Sequence, residues 1–214
     1  TPMNSSAASD VYKRQVSNIA ESEIYGAEVE LSTYVTDSMI LDANLSWIET
    51  EITADHFALD NVQSDIATNA LIAQGVNQFS DQVQIARAAE ITNVKGNELA
   101  KTPNFTANLA LTWEGFVENW GELSNSLQYI YRGDFKHRMF NNPLTDMVPD
   151  YEVLDFVLGF TPQSNNDLRF EFVAKNLTDE DGTNARFTDV FGVGATVVEL
   201  IGPRQIMLRV QMSF

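Results

Sequence analysis

Cysteine is absent from the 214 residues. Disulfide scaffolds, thiolate zinc sites and cysteine nucleophiles are therefore excluded. Histidine is scarce: His56 and His137 are the only two, and no HxxxH or HExxH spacing exists. No metal site or cofactor is expected. Basic residues are few, 13 against 30 acidic ones for a net charge of −17. Such a chain repels phosphate backbones, which excludes a general nucleic-acid binder. No apolar run approaches the roughly 20 residues of a membrane helix, and residues 1–20 lack a signal-peptide core. Wholesale disorder is excluded too, because 44% of residues are apolar and only 20% charged. A transmembrane β-barrel passes all these filters, since its strands alternate and build no long apolar run.

Residues 1–15 differ from the rest. Thr1 to Asp10 is small and polar. Asp10-Val11-Tyr12-Lys13-Arg14-Gln15 matches the translated end of a transposon-type sequencing adapter (GAT GTG TAT AAG AGA CAG). The segment is expected to be an assembly scar, with a natural polar leader as the alternative, and it is set aside from fold reasoning. Residues 16–214 are expected to form the protein proper.

From Ser22 onward the period is two. Tyr25, Ala27, Val29 and Leu31 alternate with Gly26, Glu28, Glu30 and Ser32, which predicts a strand with one apolar and one charged face. The same alternation predicts strands near 40–50 (Leu41, Ala43, Leu45, Trp47) and 103–113 (Phe105, Ala107, Leu109, Leu111, Trp113). Others follow near 122–132 (Leu123, Leu127, Tyr129, Tyr131), 151–161 (Leu154, Phe156, Leu158, Phe160) and 168–176 (Leu168, Phe170, Phe172, Ala174). A seventh covers 203–214, with Ile206, Leu208, Val210, Met212 and Phe214. The connections alternate in length. Turns are short at 36–38, 114–121 and 162–167, while 51–102, 133–150 and 177–202 are long. An antiparallel meander then has one smooth and one elaborated rim. Within 51–102, the stretches 64–72 and 80–90 begin with a Ser or Asp cap and continue in good helix formers, so one or two short helices are expected there, with a polar disordered loop as the alternative.

A soluble sandwich also uses period-two strands, so a β-sandwich module for carbohydrate binding or adhesion is the alternative. Aromatic placement favours a barrel. Trp47, Tyr129, Tyr131 and Tyr151 fall towards the long-loop rim, and Trp113, Phe116, Trp120, Phe160 and Phe214 towards the short-turn rim, as in two interfacial girdles. Strands of about 9–11 residues suit a tilted crossing of the hydrocarbon layer. The expected fold is all-β, an antiparallel up-and-down transmembrane barrel fragment of about seven strands with long extracellular loops.

Four short motifs sharpen this. Phe172-Val173-Ala174-Lys175-Asn176-Leu177-Thr178-Asp179-Glu180 resembles the xVxNLTDE end of the penultimate strand in TonB-dependent receptors. Gly202-Pro203-Arg204 resembles the GxPR opening of their last strand. Gly96 to Phe105, with Leu99 and Pro103, resembles their G..L...P.F segment, and Tyr25 to Glu30 their GxExE strand. The chain thus resembles the C-terminal portion of such a barrel, without the N-terminal plug domain and the TonB-contacting box. The end in Val210, Met212 and Phe214 resembles the signature by which barrel-assembly machinery recognises outer-membrane proteins. The resemblance implies residence in the bacterial outer membrane, among lipid and lipopolysaccharide. It implies a share in capturing a scarce small molecule (siderophore, cobalamin, haem or glycan), and contact with TonB only through the missing plug. It implies no enzyme activity.

One loop cluster stands out in so acidic a chain: Arg132, Lys136, His137 and Arg138 with Tyr131, Phe135 and Phe140. Arg132, Phe135, His137 and Arg138 are expected ligand contacts, arginine meeting an anion and aromatics stacking on it. A juxtamembrane patch against anionic lipopolysaccharide is the other reading. Asp179, Glu180 and Asp181 have the oxygen chemistry of a divalent-cation site, but a solvated acidic loop is the expected reading. Glu28 and Glu30 share one face of one strand, whereas glycosidase carboxylates oppose each other across a bond.

Overall fold

A computed structural model describes residue 19 and residues 21–188 and 196–213. Seven long strands form one antiparallel sheet: β1 (Ser22–Thr36), β2 (Met39–Ile52), β5 (Phe105–Val117), β6 (Gly121–Arg132), β9 (Tyr151–Pro162), β10 (Leu168–Lys175) and β13 (Gln205–Met212). They pair in that order, each with its neighbours in the meander. Among the described residues, β1 pairs only with β2 and β13 only with β10, so the sheet stays open. The other sheets among the described residues are two-stranded pairs in the long loops, not the second multi-stranded layer of a sandwich.

The register explains why the alternation matters. Residues directly opposite in neighbouring strands share a face. One row runs Val29, Leu45, Ala107, Tyr131. The next runs Leu31, Ala43, Leu109, Tyr129, Leu154. Further down, Leu41, Leu111, Leu127, Phe156, Ala174 and Ile206 align, then Leu158, Phe172 and Leu208. Every row of this outer face is apolar or aromatic along most of its length. The inner rows are polar: Glu28, Ser46, Thr106, Arg132 and Tyr151, then Glu30, Asn44 and Asn108. A slip of one residue at any strand would put polar or charged side chains on the outer face, so the pattern fixes the register.

Several boundaries differ from expectation. β1 and β2 reach 15 and 14 residues, longer than a lipid crossing requires, whereas β10 and β13 have 8 each. β5 runs on to Val117, which narrows the turn to 118–120; Asn119 at φ 66° and Gly121 at φ 138° make it possible. Tyr151 and Phe116 sit in inner rows, opposite Arg132 and Glu122, so neither belongs to an outer aromatic girdle. Val210 and Met212 lie in outer rows of β13, and Phe214 and residues 1–15 lie outside the described residues.

The long loops carry structure of their own. The first holds the pair β3 (Phe57–Leu59) and β4 (Ile91–Asn93) around α1 (Asn61–Ala73) and α2 (Asp81–Ala89). Asp60, not Ser64, caps α1, accepting from the Val62 and Gln63 amides at 3.0 and 3.3 Å, so α1 starts earlier than expected. Ser80 caps α2. The second loop pairs β7 (Phe135–Lys136) with β8 (Met147–Val148), and the third pairs β11 (Thr183–Thr188) with β12 (Thr196–Leu200). Buried Ile52, Val94, Phe135 and Val148 all belong to the long-loop rim.

Candidate functional site

The basic-aromatic cluster of the second loop lies where the three loops meet. Strand β6 ends at Arg132, which points inward by the parity of its row. Its guanidinium lies 4.4 Å from the Tyr151 ring centre and 4.7 Å from that of Phe135. It donates to the carbonyls of Asn184 (2.6 Å), Thr183 (2.7 Å) and Pro149 (3.1 Å), tying β6 to the third loop. Its Nε is buried without a partner.

His137 is 6% exposed. Its Nδ1 lies 3.1 Å from the Asp146 carbonyl, which can only accept, so Nδ1 carries the proton. Nε2 then accepts from the Thr188 hydroxyl at 2.8 Å. Burial pushes the imidazole below its ordinary value, and the Arg138 and Arg186 charges add to this, against a smaller opposing pull from Asp146. Arg138 forks between two buried carboxylates. Nη1 meets Asp60 Oδ1 at 2.7 Å, while Nε and Nη2 meet Asp146 Oδ1 at 2.7 and 2.5 Å. Its plane also lies 5.2 Å from the centre of Phe140.

Further bonds run between the first and second loops. Asn97 Nδ2 donates to the Met139 carbonyl at 2.9 Å, and the Glu98 amide to Asn141 Oδ1 at 2.8 Å. The four expected contact residues are thus brought together, but their polar groups mostly face protein. Asp60, Asp146 and Thr188 were not legible as members. Asp60 alone carries a local signal, as a cap before helix formers; Asp146 and Thr188 reach the cluster only through folding.

The two terminal motifs also meet. Asn176, at φ 49°, donates from Nδ2 to the carbonyls of Glu180 (2.9 Å) and Gly202 (3.0 Å) and accepts the Glu180 amide at 2.8 Å. Asp179 accepts the Arg204 amide at 3.0 Å and pairs with the Arg204 guanidinium at 3.2 Å. The motifs at 173–180 and 202–204 are therefore two halves of one clasp at the top of the final hairpin. Among the described residues no group of three His, Asp or Glu side chains is placed to hold a metal ion.

Below the loops the inner wall carries a cavity of about 400 Å³, lined by Glu28, Glu30, Asn44, Asn108, Arg132 and Tyr151 among others. Nearer the short turns, Arg169 reaches across Gly159 to Ser124 Oγ (2.9 Å) and Glu171 (3.1 Å), and Glu171 also accepts from Arg209 at 3.0 Å. On the outer face, Tyr25 packs edge-on to Trp47 with centres 5.9 Å apart, and Phe105 lies 6.0 Å from Tyr131. The hydroxyls of Tyr25 and Tyr129 donate to Glu49 (2.7 Å) and Glu152 (2.6 Å) at the loop side of this belt.

Comparison with known proteins places this geometry. The model of the family described as TonB dependent receptor-like, beta-barrel, matches residues 2–177. No curated protein matches. Among solved structures, the chain is similar to the ferric yersiniabactin uptake receptor of Yersinia pestis, with TM-score 0.62 and 16% identity over 90% of this chain and 24% of that one. It is similar to a siderophore receptor of Acinetobacter baumannii, with TM-score 0.59 and 17% identity over 89% and 22%. It is also similar to the ferric-catecholate import receptor of E. coli K12, with TM-score 0.58 and 16% identity over 90% and 21%. The chain spans about a quarter of the length of these structures.

Proposed function

The chain belongs to the TonB-dependent receptor β-barrel family, and we propose that it forms part of an outer-membrane active-transport receptor that captures a scarce ligand and imports it with TonB-relayed energy. The observation that carries this reading is the register: seven strands align into an apolar outer face and a polar inner wall, with tied loops on one rim. Apolar rows suit lipid, and a wall of carboxylates and amides suits passage of a hydrophilic solute. The ligand belongs to the siderophore, cobalamin, haem or glycan class. TonB contact falls to a plug outside this chain. Arg132, Phe135, His137 and Arg138 support capture from the loop cluster, and lipid and lipopolysaccharide surround the aromatic belt.

The test uses the longer receptor that contains this chain, expressed in a host stripped of its own receptors. Radiolabelled ferric siderophores, haem, cobalamin and oligosaccharides are the probes. Accumulation of one probe is expected, and it should vanish when TonB is deleted or the inner membrane is uncoupled. Accumulation that persists without TonB, or a receptor absent from the outer membrane, overturns the reading.

A further inference from the structure

The second loop's adjacent pair, His137 and Arg138, does something neither expected reading requires. We propose that the two are positioning residues that lock three separate loops into one preassembled unit, so that the loops open and close together. Only the consequence for capture rests on the uptake reading above.

The partners of the two side chains lie in different loops. Arg138 holds Asp60, the cap of α1 in the first loop, and Asp146 in its own loop. The side chain of Arg138 is 12% exposed, and those of Asp60 and Asp146 are 5% and 0% exposed. A guanidinium is suited to this because its fork serves two carboxylates in one plane. His137, the next residue back, faces the other way and takes Thr188 of β11 in the third loop. Thr188 in turn lies 3.1 Å, oxygen to oxygen, from Thr196 of β12, so both strands of that hairpin are engaged. Two consecutive side chains thus join the first and third loops through the second.

Breaking one tie leaves a buried charge or polar group without its partner, and that cost resists partial opening. Asp60 adds a direct link, since the carboxylate oxygen that meets Arg138 also receives the α1 amides. Movement of the α1 N-terminus therefore changes the ion pair. The ties between the loops are made by buried polar groups, which favours concerted opening over independent fraying.

Hydrogen–deuterium exchange on the longer receptor in detergent tests this without any ligand. Arg138→Met should raise exchange about tenfold or more at residues 61–64, 139–146 and 183–188 together, in one bimodal step shared by the three loops. Asp60→Asn keeps the cap, because asparagine caps a helix as well as aspartate, but removes the charge. It should speed exchange at 97–98, 139–146 and 183–188 together while strand amides of β5 and β6 stay protected. His137→Gln should release 183–188 along with the second loop. Heat-modifiable migration shows that each barrel is folded, and if Arg138→Met fails that check, Asp60→Asn decides alone. A rise confined to the loop that carries the substitution overturns the proposal. The readout needs no transport, so a receptor that imports nothing would sink the uptake reading and leave this one standing.

Discussion

At the residue scale, the side chain's face decides its tolerance. Leu109 and Phe156 lie in outer rows, while Thr106 and Asn108 lie in inner rows three and one residues from Leu109. Lysine at Leu109 or arginine at Phe156 should cost about 2–4 kcal/mol each in a barrel-folding assay in lipid vesicles, whereas lysine at Asn108 should cost little. Equal costs would mean that both faces meet the same solvent. His137 carries the pH dependence of the loops. Its proton affinity is lower in the folded state than the ordinary value of 6.5, so the folded chain binds fewer protons near that pH. Its stabilising contribution is complete above about pH 6.5 and erodes as pH falls through 6.5 towards the folded value. Limited proteolysis of the loops should therefore speed up between about pH 7 and pH 5, and His137→Gln should remove the step. A wild-type profile that is flat over this range would contradict the burial of the neutral ring.

At the element scale, strands were legible and loop contacts were not. Alternation within ten residues announces a strand and both its faces, because the pleat is local. The girdle assignments of Tyr151 and Phe116 fail for a readable reason: each is out of phase with Leu154 or Trp113 on its own strand. Rim position alone is a poor guide to face. The helices were half legible, since cap residues are local but Asp60 competes with Ser64 as a start. The Arg138 cluster had composition as its only signal, and its partners come from three loops. The clasp of Asn176 and Asp179 on 202–204 sits between. Both motifs can be read, but not that they grip each other. Gly159 shows how an inner strand residue serves its neighbours: a Cβ there would fall on the Arg169 guanidinium and lie 2.7 Å from Ser124 Oγ. Gly159→Ala should displace Arg169 and cost about 1 kcal/mol. The same substitution in an Arg169→Ala background should cost less, as a double-mutant cycle in urea would report. Additive costs would mean that the glycine acts through its backbone instead.

At the scale of the whole molecule, the sheet poses a problem that its own residues do not solve. β1 and β13 each leave one edge without a partner among the described residues. Every residue of β1 and β13 is exposed, and Tyr34, Leu208 and Val210 are 72%, 83% and 63% exposed. In lipid, each unpaired backbone group costs several kcal/mol, so an open sheet does not span a bilayer. In water, the outer rows, with Val29, Leu31, Leu111, Leu127, Phe170, Leu208 and Val210 exposed, form a contiguous apolar face of the kind soluble monomers avoid, flanked by edges that recruit other strands. Neither solvent accepts the sheet alone. Further strands that close the sheet into a barrel would satisfy both demands at once, covering the edges and letting the outer face meet lipid on all sides. The 214-residue chain expressed by itself should therefore collect in inclusion bodies. Refolded into detergent, it should give mixed oligomers by light scattering and no heat-modifiable band. A monomer that melts cooperatively in aqueous buffer would mean that the sheet has found a way to cover its own edges and outer face. The assignment of that face to lipid would then fall with it.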